Sequence, residues 1–346
     1  MTPPEHRTSH PASILAKRTM PLGRPANRDA FLGRRHPPEK SNMSPDLAMR
    51  QNKSPFLRFL FTALAAPGLF ACEPSKPGYL VVGRVSSPQL VEVSGVARSQ
   101  HDPDLVWVHN DSGDLPRVFA LRIDGSVQAE MRVQGAFALD WEDITSAPAP
   151  EGQGGFLFIA DTGNNLRLRK ELVVYRIPEP KLEPGATTAV LESEVATRFP
   201  FKFSDGSFDC EGLAAAPDGK ALYVFTKEGR STGVYRLPVS KEPSGPIRLD
   251  RLTTLEQTTG VTSADLARDG SSLVVSTGRG IYSWRRHQTA SVEAMLAQPP
   301  QLLIPLDKRL QLEGICHDRS GTGVFAIAEG ATPRVYRVAM RPSARP

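Results

Sequence analysis

The stretch DCEGLAAAPDGKALYVFT, residues 209 to 226, holds an acidic start, a run of small and apolar residues, a polar turn and a second apolar run. It has counterparts. EVSGVARS from Glu92, DWEDITSA from Asp140, GVTSADLA from Gly260 and QLEGICHD from Gln311 stack on its first half, with Gly95, Asp143, Gly212, Ser263 and Gly314 as equivalent anchors. The anchors are spaced by 48, 69, 51 and 51 residues, and in the last three copies a glycine (Gly219, Gly270, Gly321) follows at one fixed distance. Self-similarity at such a period marks a repeat architecture and takes precedence over a strand-by-strand reading.

Each copy continues in the same order. Second strands LVWVHN, FLFIAD, ALYVFT, SLVVST and GVFAIA precede third strands that carry an aromatic at Phe119, Tyr175, Tyr235, Tyr282 and Tyr336. Fourth strands are predicted over 127–133, 196–203, 247–255 and 302–306. The fifth copy lacks one, and GYLVVGRV, residues 78–85, supplies it from the other end of the repeat array. Short β-branched and aromatic runs, four to a unit and separated by turn residues, predict an all-β fold: a five-bladed β-propeller of four antiparallel strands per blade. Closing the ring with the N-terminal strand removes its exposed edges. The 69-residue interval leaves room for a sixth blade.

The residues that precede the anchors read Ser94, Glu142, Glu211, Thr262 and Glu313. That succession resembles the SdiA-regulated propeller family, exported or membrane-anchored proteins whose inner strands open with S-G, E-T, E-G, S-G and E-G. Here the second motif is Glu-Asp and the fourth is Thr-Ser. The resemblance covers nearly all of the chain after Cys72 and implies a fold and an envelope location, with no activity to carry over. A looser likeness to calcium-dependent phytase-type and lactonase-type propellers implies a metal at the channel, though their full ligand sets have no match here.

The first 48 residues are rich in Pro, Arg, His and Ser without apolar periodicity, so they are expected to be disordered, an extension upstream of a start at Met43 or Met49. Residues 49–71 read as a signal peptide: Arg50, Lys53 and Arg58 stand ahead of an apolar run from Phe59 to Phe70. The run is shorter than the roughly 20 residues a membrane span needs. It ends in Leu69-Phe70-Ala71-Cys72, which resembles a lipoprotein cleavage box with an unusually bulky Phe70. The expectation is a lipidated Cys72, a tether over 72–77, a propeller over 78–346 and, from Glu73, delivery to the outer membrane, with the lipid as the only membrane contact. Of the 42 Lys and Arg, 11 precede Cys72, against 4 of the 37 Asp and Glu, which leaves the rest of the chain with a net charge of −2. The basic pI therefore gives no support to nucleic-acid binding. Cys210 and Cys316 fall in non-adjacent repeats, so free buried thiols are expected rather than a disulfide.

In a propeller blade the first strand leaves one face and the second returns to it, so the start of strand one neighbours the turn after strand two. Glu142, Glu211 and Glu313 open inner strands; Asp111, Asp114, Asp161 and Glu329 sit in or beside returning turns. All should surround one channel mouth. Carboxylates crowded on an axis repel one another, and a hard cation such as calcium, which takes several oxygens, relieves that repulsion. The candidate metal ligands are Glu142, Glu211, Glu313, Asp111 and Asp161, and the candidate ligand contacts are Asp114, Arg117, Asn164, Lys227, Arg279 and Glu329. Two plainer explanations compete. Turn chemistry alone accounts for HNDSGD, residues 109–114, and ADTGNN, residues 160–165, and the glutamates could instead accept backbone N–H bonds from the next blade and knit the ring.

The functional expectation is a monomeric envelope protein that binds a protein, a glycan or a small ligand at that mouth. The alternative is a metal-dependent phosphoesterase or lactonase, with a water on the cation as nucleophile. His109 and His317 lie on repeated strands, but no Ser-His-acid, Cys-His, GxxxxGK or zinc-type cysteine signature is legible.

Overall fold

The computed structural model describes residues 78–149, 154–183, 189–256, 258–287, 290–305 and 310–340. The disordered extension, signal peptide, Cys72 and tether predicted from the sequence lie outside these residues.

The chain enters through β1 (Tyr79–Arg84). Blade 1 follows, with β2 (Val93–Arg98), β3 (Leu105–Asn110), β4 (Arg117–Arg122) and β5 (Val127–Arg132). Blade 2 contains β6 (Trp141–Pro148), β7 (Gly155–Asp161), β8 (Leu172–Pro178) and, after a short β9 (Ala189–Glu192), β10 (Thr197–Phe203). Blade 3 is β11 (Cys210–Ala215), β12 (Ala221–Thr226), β13 (Thr232–Pro238) and β15 (Arg251–Leu255), with β14 (Ile247–Leu249) interposed. Blade 4 is β16 (Val261–Leu266), β17 (Ser272–Thr277), β18 (Gly280–Arg285) and β19 (Gln301–Pro305). Blade 5 is β20 (Leu312–His317), β21 (Gly323–Ala328) and β22 (Arg334–Ala339). Its fourth strand is β1, which pairs antiparallel with β22 from Tyr79↔Val338 to Arg84↔Arg334. The ring therefore has five blades and is closed by the N-terminal strand.

The long second interval holds no sixth blade. It is spent on β9, which adds in parallel to the outer edge of blade 1, Ala129↔Ala189 through Arg132↔Glu192. The fourth strand predicted over 247–255 divides in a related way. Its first part, β14, pairs in parallel with β10 of blade 2, and its second part, β15, joins blade 3. Two blades thus donate an edge strand to their predecessor, which covers edges that would otherwise offer unpaired N–H and C=O groups. A short helix, α1 (Val292–Leu296), precedes β19 and buries Val292, Met295 and Leu296. Ser291 caps it by accepting a hydrogen bond from the Ala294 N–H. The repeat reading offered no sign of this helix.

The strands lie face to face with both neighbours, so both of their faces are apolar. In LVWVHN, Leu105 and Trp107 enter the core shared with blade 2, while Val106 and Val108 enter the core shared with blade 5. Period-two alternation divides each strand between two cores rather than between core and water. Five such wedges hold the ring, and Cys210 and Cys316 sit in different ones as free thiols. The repeated glycines Gly219, Gly270 and Gly321 have φ values of 66°, 67° and 65°. Each closes the same hairpin, its N–H donating to the carbonyl of Ala216, Ala267 or Asp318. A side chain there would strain a left-handed backbone, which is why the spacing recurs.

Candidate functional site

Every inner strand carries a bulge at its opening. In the pairing of β6 with β7 the register jumps from Trp141↔Asp161 to Asp143↔Ala160, leaving Glu142 unopposed. The same jump leaves Glu211, Thr262 and Glu313 unopposed in blades 3, 4 and 5, and Gly95 in blade 1. A bulge inserts one residue and re-aims its side chain. Here that device turns the repeated glutamates into the channel.

Glu142, Glu211, Glu313, Asp111, Lys227 and Glu329 line one cavity of about 250 Å³, together with Asp140 and Asn165. Two overlapping trios form within it. Oxygens of Asp111, Asp140 and Glu142 lie within 4.8 Å of one another, and so do oxygens of Glu142, Asp209 and Glu211. Glu142 belongs to both. It is 5 % exposed, and its carboxylate has no hydrogen bond or ion pair among the described residues. Gly163 leaves the room for this convergence: a Cβ there would stand 2.2 Å from both Asp140 Oδ2 and Glu142 Oε1.

Electrostatics follow from this crowding. Burial, and then the charges of Glu211, Asp111, Asp140 and Asp209, push Glu142 up to about 10. Burial also pushes Glu211 up to about 8, although its ion pair with Lys227 pulls the other way. Glu313, Asp140 and Asp209 are raised chiefly by burial as well. Crowded and withdrawn from water, these carboxyls keep their protons to a higher pH than carboxylates in water do.

The other sequence candidates sit elsewhere. Asp161 is buried beside this group, but its Oδ1 pairs with Arg169 at 2.9 Å and accepts the Asp140 N–H at 3.2 Å. Asp114 pairs with Arg117 at 2.8 Å, and Arg117 reaches Glu130 at 3.3 Å on β5. Asn164 closes its own loop, donating to the Arg169 carbonyl at 3.0 Å and accepting the Arg169 N–H at 2.9 Å. Arg279 lies in the turn between β17 and β18, its N–H on Thr277 Oγ1 at 3.1 Å. None of these five lines the cavity. HNDSGD divides accordingly: Asp111 faces the mouth, while Asn110 donates to Asp114 Oδ2 at 2.7 Å and steadies the turn.

Asp140 and Asp209, which complete the trios, were not singled out from the sequence. The signal was present: each begins its aligned motif, DWEDITSA and DCEGLAAA, two residues ahead of a glutamate. The knitting role expected of the glutamates falls instead to Asp143. Its carboxylate is fully buried and accepts from Leu213 N at 2.8 Å, Ala264 N at 3.1 Å, Ile144 N at 2.9 Å and Ser263 Oγ at 3.1 Å. Ser263 Oγ in turn accepts from Ile315 N at 3.1 Å, so the network crosses blades 2 to 5. Hydroxyls of Ser94, Thr162 and Thr262 add a belt, each donating to a main-chain carbonyl of the next blade, at Glu142, Cys210 and Leu312.

A Ser-His-acid arrangement does exist, built from three strands: His317 Nδ1 lies 2.6 Å from Asp265 Oδ2, and its Nε2 lies 2.8 Å from Ser272 Oγ. It escaped notice because no local motif joins residues from β16, β17 and β20. Ser272 is 4 % exposed and lines no described cavity, so the trio holds an imidazole in place rather than presenting a nucleophile. His109 is also structural. It is wholly buried edge-on to Trp141, and burial holds it down to about 4.

No protein-family model matches the chain, and no curated protein is similar to it in sequence. Among solved structures it is similar to the soluble aldose sugar dehydrogenase of Escherichia coli, at 8% identity over 76% of this chain and 99% of that one, with a TM-score of 0.45. It is similar also to the Cps50 (Swd1) β-propeller domain of Myceliophteria thermophila, at 11% identity over 75% and 100% of the two chains, TM-score 0.40. A functionally unknown protein from Desulfotomaculum acetoxidans matches at 15% identity over 68% and 65%, TM-score 0.35. The chain is, by its own strand pairing, a five-bladed β-propeller closed by its first strand.

Proposed function

We propose that this protein is an exported, lipid-anchored component of the bacterial envelope, a member of the SdiA-regulated propeller group, whose acidic mouth binds calcium and through it a protein, glycan or small ligand. The observation that carries the cation is Glu142. A buried carboxylate with no partner is costly, and this one stands where two acid trios meet. Turn chemistry explains Asp111, and ion pairing explains Glu211, but neither accounts for Glu142. The donors are all oxygens, irregularly arranged and drawn from three blades, which suits the six to eight oxygens and flexible geometry of calcium better than the strict octahedron of magnesium.

Calcium entering this site must displace the proton that burial and the neighbouring acids retain on Glu142, so binding is coupled to proton release. Isothermal titration of chelator-treated protein with calcium, in buffers of different ionisation enthalpy, tests both statements at once. The expected result is saturable binding with proton release, lost in Glu142→Gln. Absence of both heat and thermal stabilisation at millimolar calcium, the weak end for extracellular sites, would remove the cation from the proposal. The hydrolytic alternative shares this cation, and turnover of p-nitrophenyl phosphate or a simple lactone with and without calcium separates it from binding.

A further inference from the structure

The inner strands that begin at the acidic mouth end at the other one, and there arginines gather. A cavity of about 580 Å³ is lined by Arg98 at the end of β2, Arg268 after β16, and His317 and Arg319 at the end of β20. Hairpins of blades 1, 4 and 5 form its rim. That volume suits a small organic ligand.

The arginines there are not neutralised. Arg98 and Arg319 make no hydrogen bond or ion pair through their guanidinium groups among the described residues, and Arg268 uses only Nη2, on the Ser99 carbonyl at 3.3 Å and on Gln100 Oε1. Of the two carboxylates on the rim, Asp318 is paired with Arg337 at 2.6 Å, while Asp269 accepts the Ser271 N–H at 2.9 Å and keeps its charge, which leaves three arginines against one unpaired acid. Glu179, the acid that acts on Arg268, is already bonded to the Gln100 N–H at 2.8 Å and to Trp107 Nε1 at 2.8 Å. Arg98 and Arg268 line the same cavity, and burial and then the Arg98 charge hold Arg268 below its ordinary range against the pull of Glu179. Arginines that outnumber the acids of a concave site favour an anion there.

We infer that this second mouth is a binding site for a small doubly charged oxyanion, a phosphate monoester or a dicarboxylate, gripped by Arg98 and Arg268 with Arg319 at the entrance. Planar guanidinium groups match both oxyanions through paired N–H donors. His317 forms a fixed wall, because Asp265 and Ser272 engage both ring nitrogens. The site is independent of the calcium reading and can be assayed with chelator present.

The test measures thermal shift and calorimetric binding of inorganic phosphate, phenyl phosphate and malonate at constant ionic strength, with chloride as the control anion. Saturable stabilisation by phenyl phosphate or by malonate is expected, and the stronger of the two names the source. Affinity should fall about tenfold or more in Arg98→Gln and in Arg268→Gln, the loss of one charge-assisted contact, and remain as in wild type in Glu142→Gln. Arg319 is exposed and unbonded, so Arg319→Gln folds normally and guards against reading an unfolded variant as a lost site. It should weaken binding by a smaller factor. No saturable response to any of the three anions, or a response that survives both Arg98→Gln and Arg268→Gln, would overturn the inference.

Discussion

The Leu213 N–H donates to Asp143 Oδ2 at 2.8 Å across 70 positions of sequence, joining blade 3 to blade 2 at the centre of the channel. The same oxygen accepts from Ala264 of blade 4, and the other carboxylate oxygen accepts from Ser263. A single side chain thus fixes three blades at the axis. Asp143→Asn keeps the shape but turns an NH₂ group toward N–H or O–H donors, and Asp143→Ala leaves those donors buried without acceptors. Each is expected to cost about 2–4 kcal/mol, the penalty for a broken buried network. Urea unfolding monitored by tryptophan fluorescence reads this directly, and a loss under about 1 kcal/mol for both variants would show that the axis is held by the apolar wedges alone.

The acidic mouth makes stability depend on pH in an unusual direction. Glu142 and Glu211 have folded values raised to about 10 and about 8 from 4.5. Below pH 4.5 both states hold the protons and the penalty is absent; above it the unfolded chain ionises first, so stability falls as pH rises toward the folded values. Carboxylates such as Asp114, Asp205 and Asp318, held low by arginines and local donors, act in the opposite sense and below pH 4. The calcium-free protein should therefore lose melting temperature between about pH 5 and 8. Saturating calcium should flatten that slope, and Glu142→Gln should flatten it without calcium. A calcium-free melting temperature that climbs across this range would refute the protonated mouth.

The fold was legible because repetition is a non-local signal that survives without any motif. Five stacked openings and a strand left over at the beginning sufficed to predict the blade number and the closure. What escaped notice was the exchange of β9 and β14 between blades, since a short edge strand carries no mark of which sheet it joins. The mouth was legible in outline for the same reason: equivalent positions meet at equivalent places. The bulge decided the detail. Of the adjacent acids Glu142 and Asp143, one lines the mouth and the other holds the ring together, and a register jump of one residue is invisible in the string Glu-Asp. Arg268 and Arg319 share a repeat position, two residues ahead of Gly270 and Gly321, but blade 3 has Pro217 there and Arg98 follows its anchor at a different distance, so the second mouth is not marked in the repeat and forms only through the hairpins that carry them.

Gly163 tests the geometry of the acid trios without touching a carboxylate. A Cβ at this position would stand 2.2 Å from Asp140 Oδ2 and from Glu142 Oε1, so both side chains must swing away from their common centre. Gly163→Ala should weaken calcium binding about tenfold or more, roughly the loss of one ligand's contribution. Because the displaced groups are ends of side chains, unfolding of the calcium-free protein should change by less than about 1 kcal/mol. Calcium affinity equal to wild type, measured by titration, would place the cation away from Asp140 and Glu142.

The closing strand offers a test of the ring itself. β1 pairs with β22 over five register positions, and Tyr79 meets Tyr336 edge-on with ring centroids 5.5 Å apart. Deleting residues 78–84 would bare the outer edge of β22, with its row of unpaired N–H and C=O groups. Such an edge seeks another strand, so the deletion variant should melt lower and associate with itself in a concentration-dependent way, as read by light scattering coupled to size exclusion. A synthetic GYLVVGR peptide should restore both properties by adding in trans, because main-chain pairing gives strand addition its affinity. A deletion variant that stays monomeric with an unchanged melting temperature would show that blade 5 is complete with β20, β21 and β22.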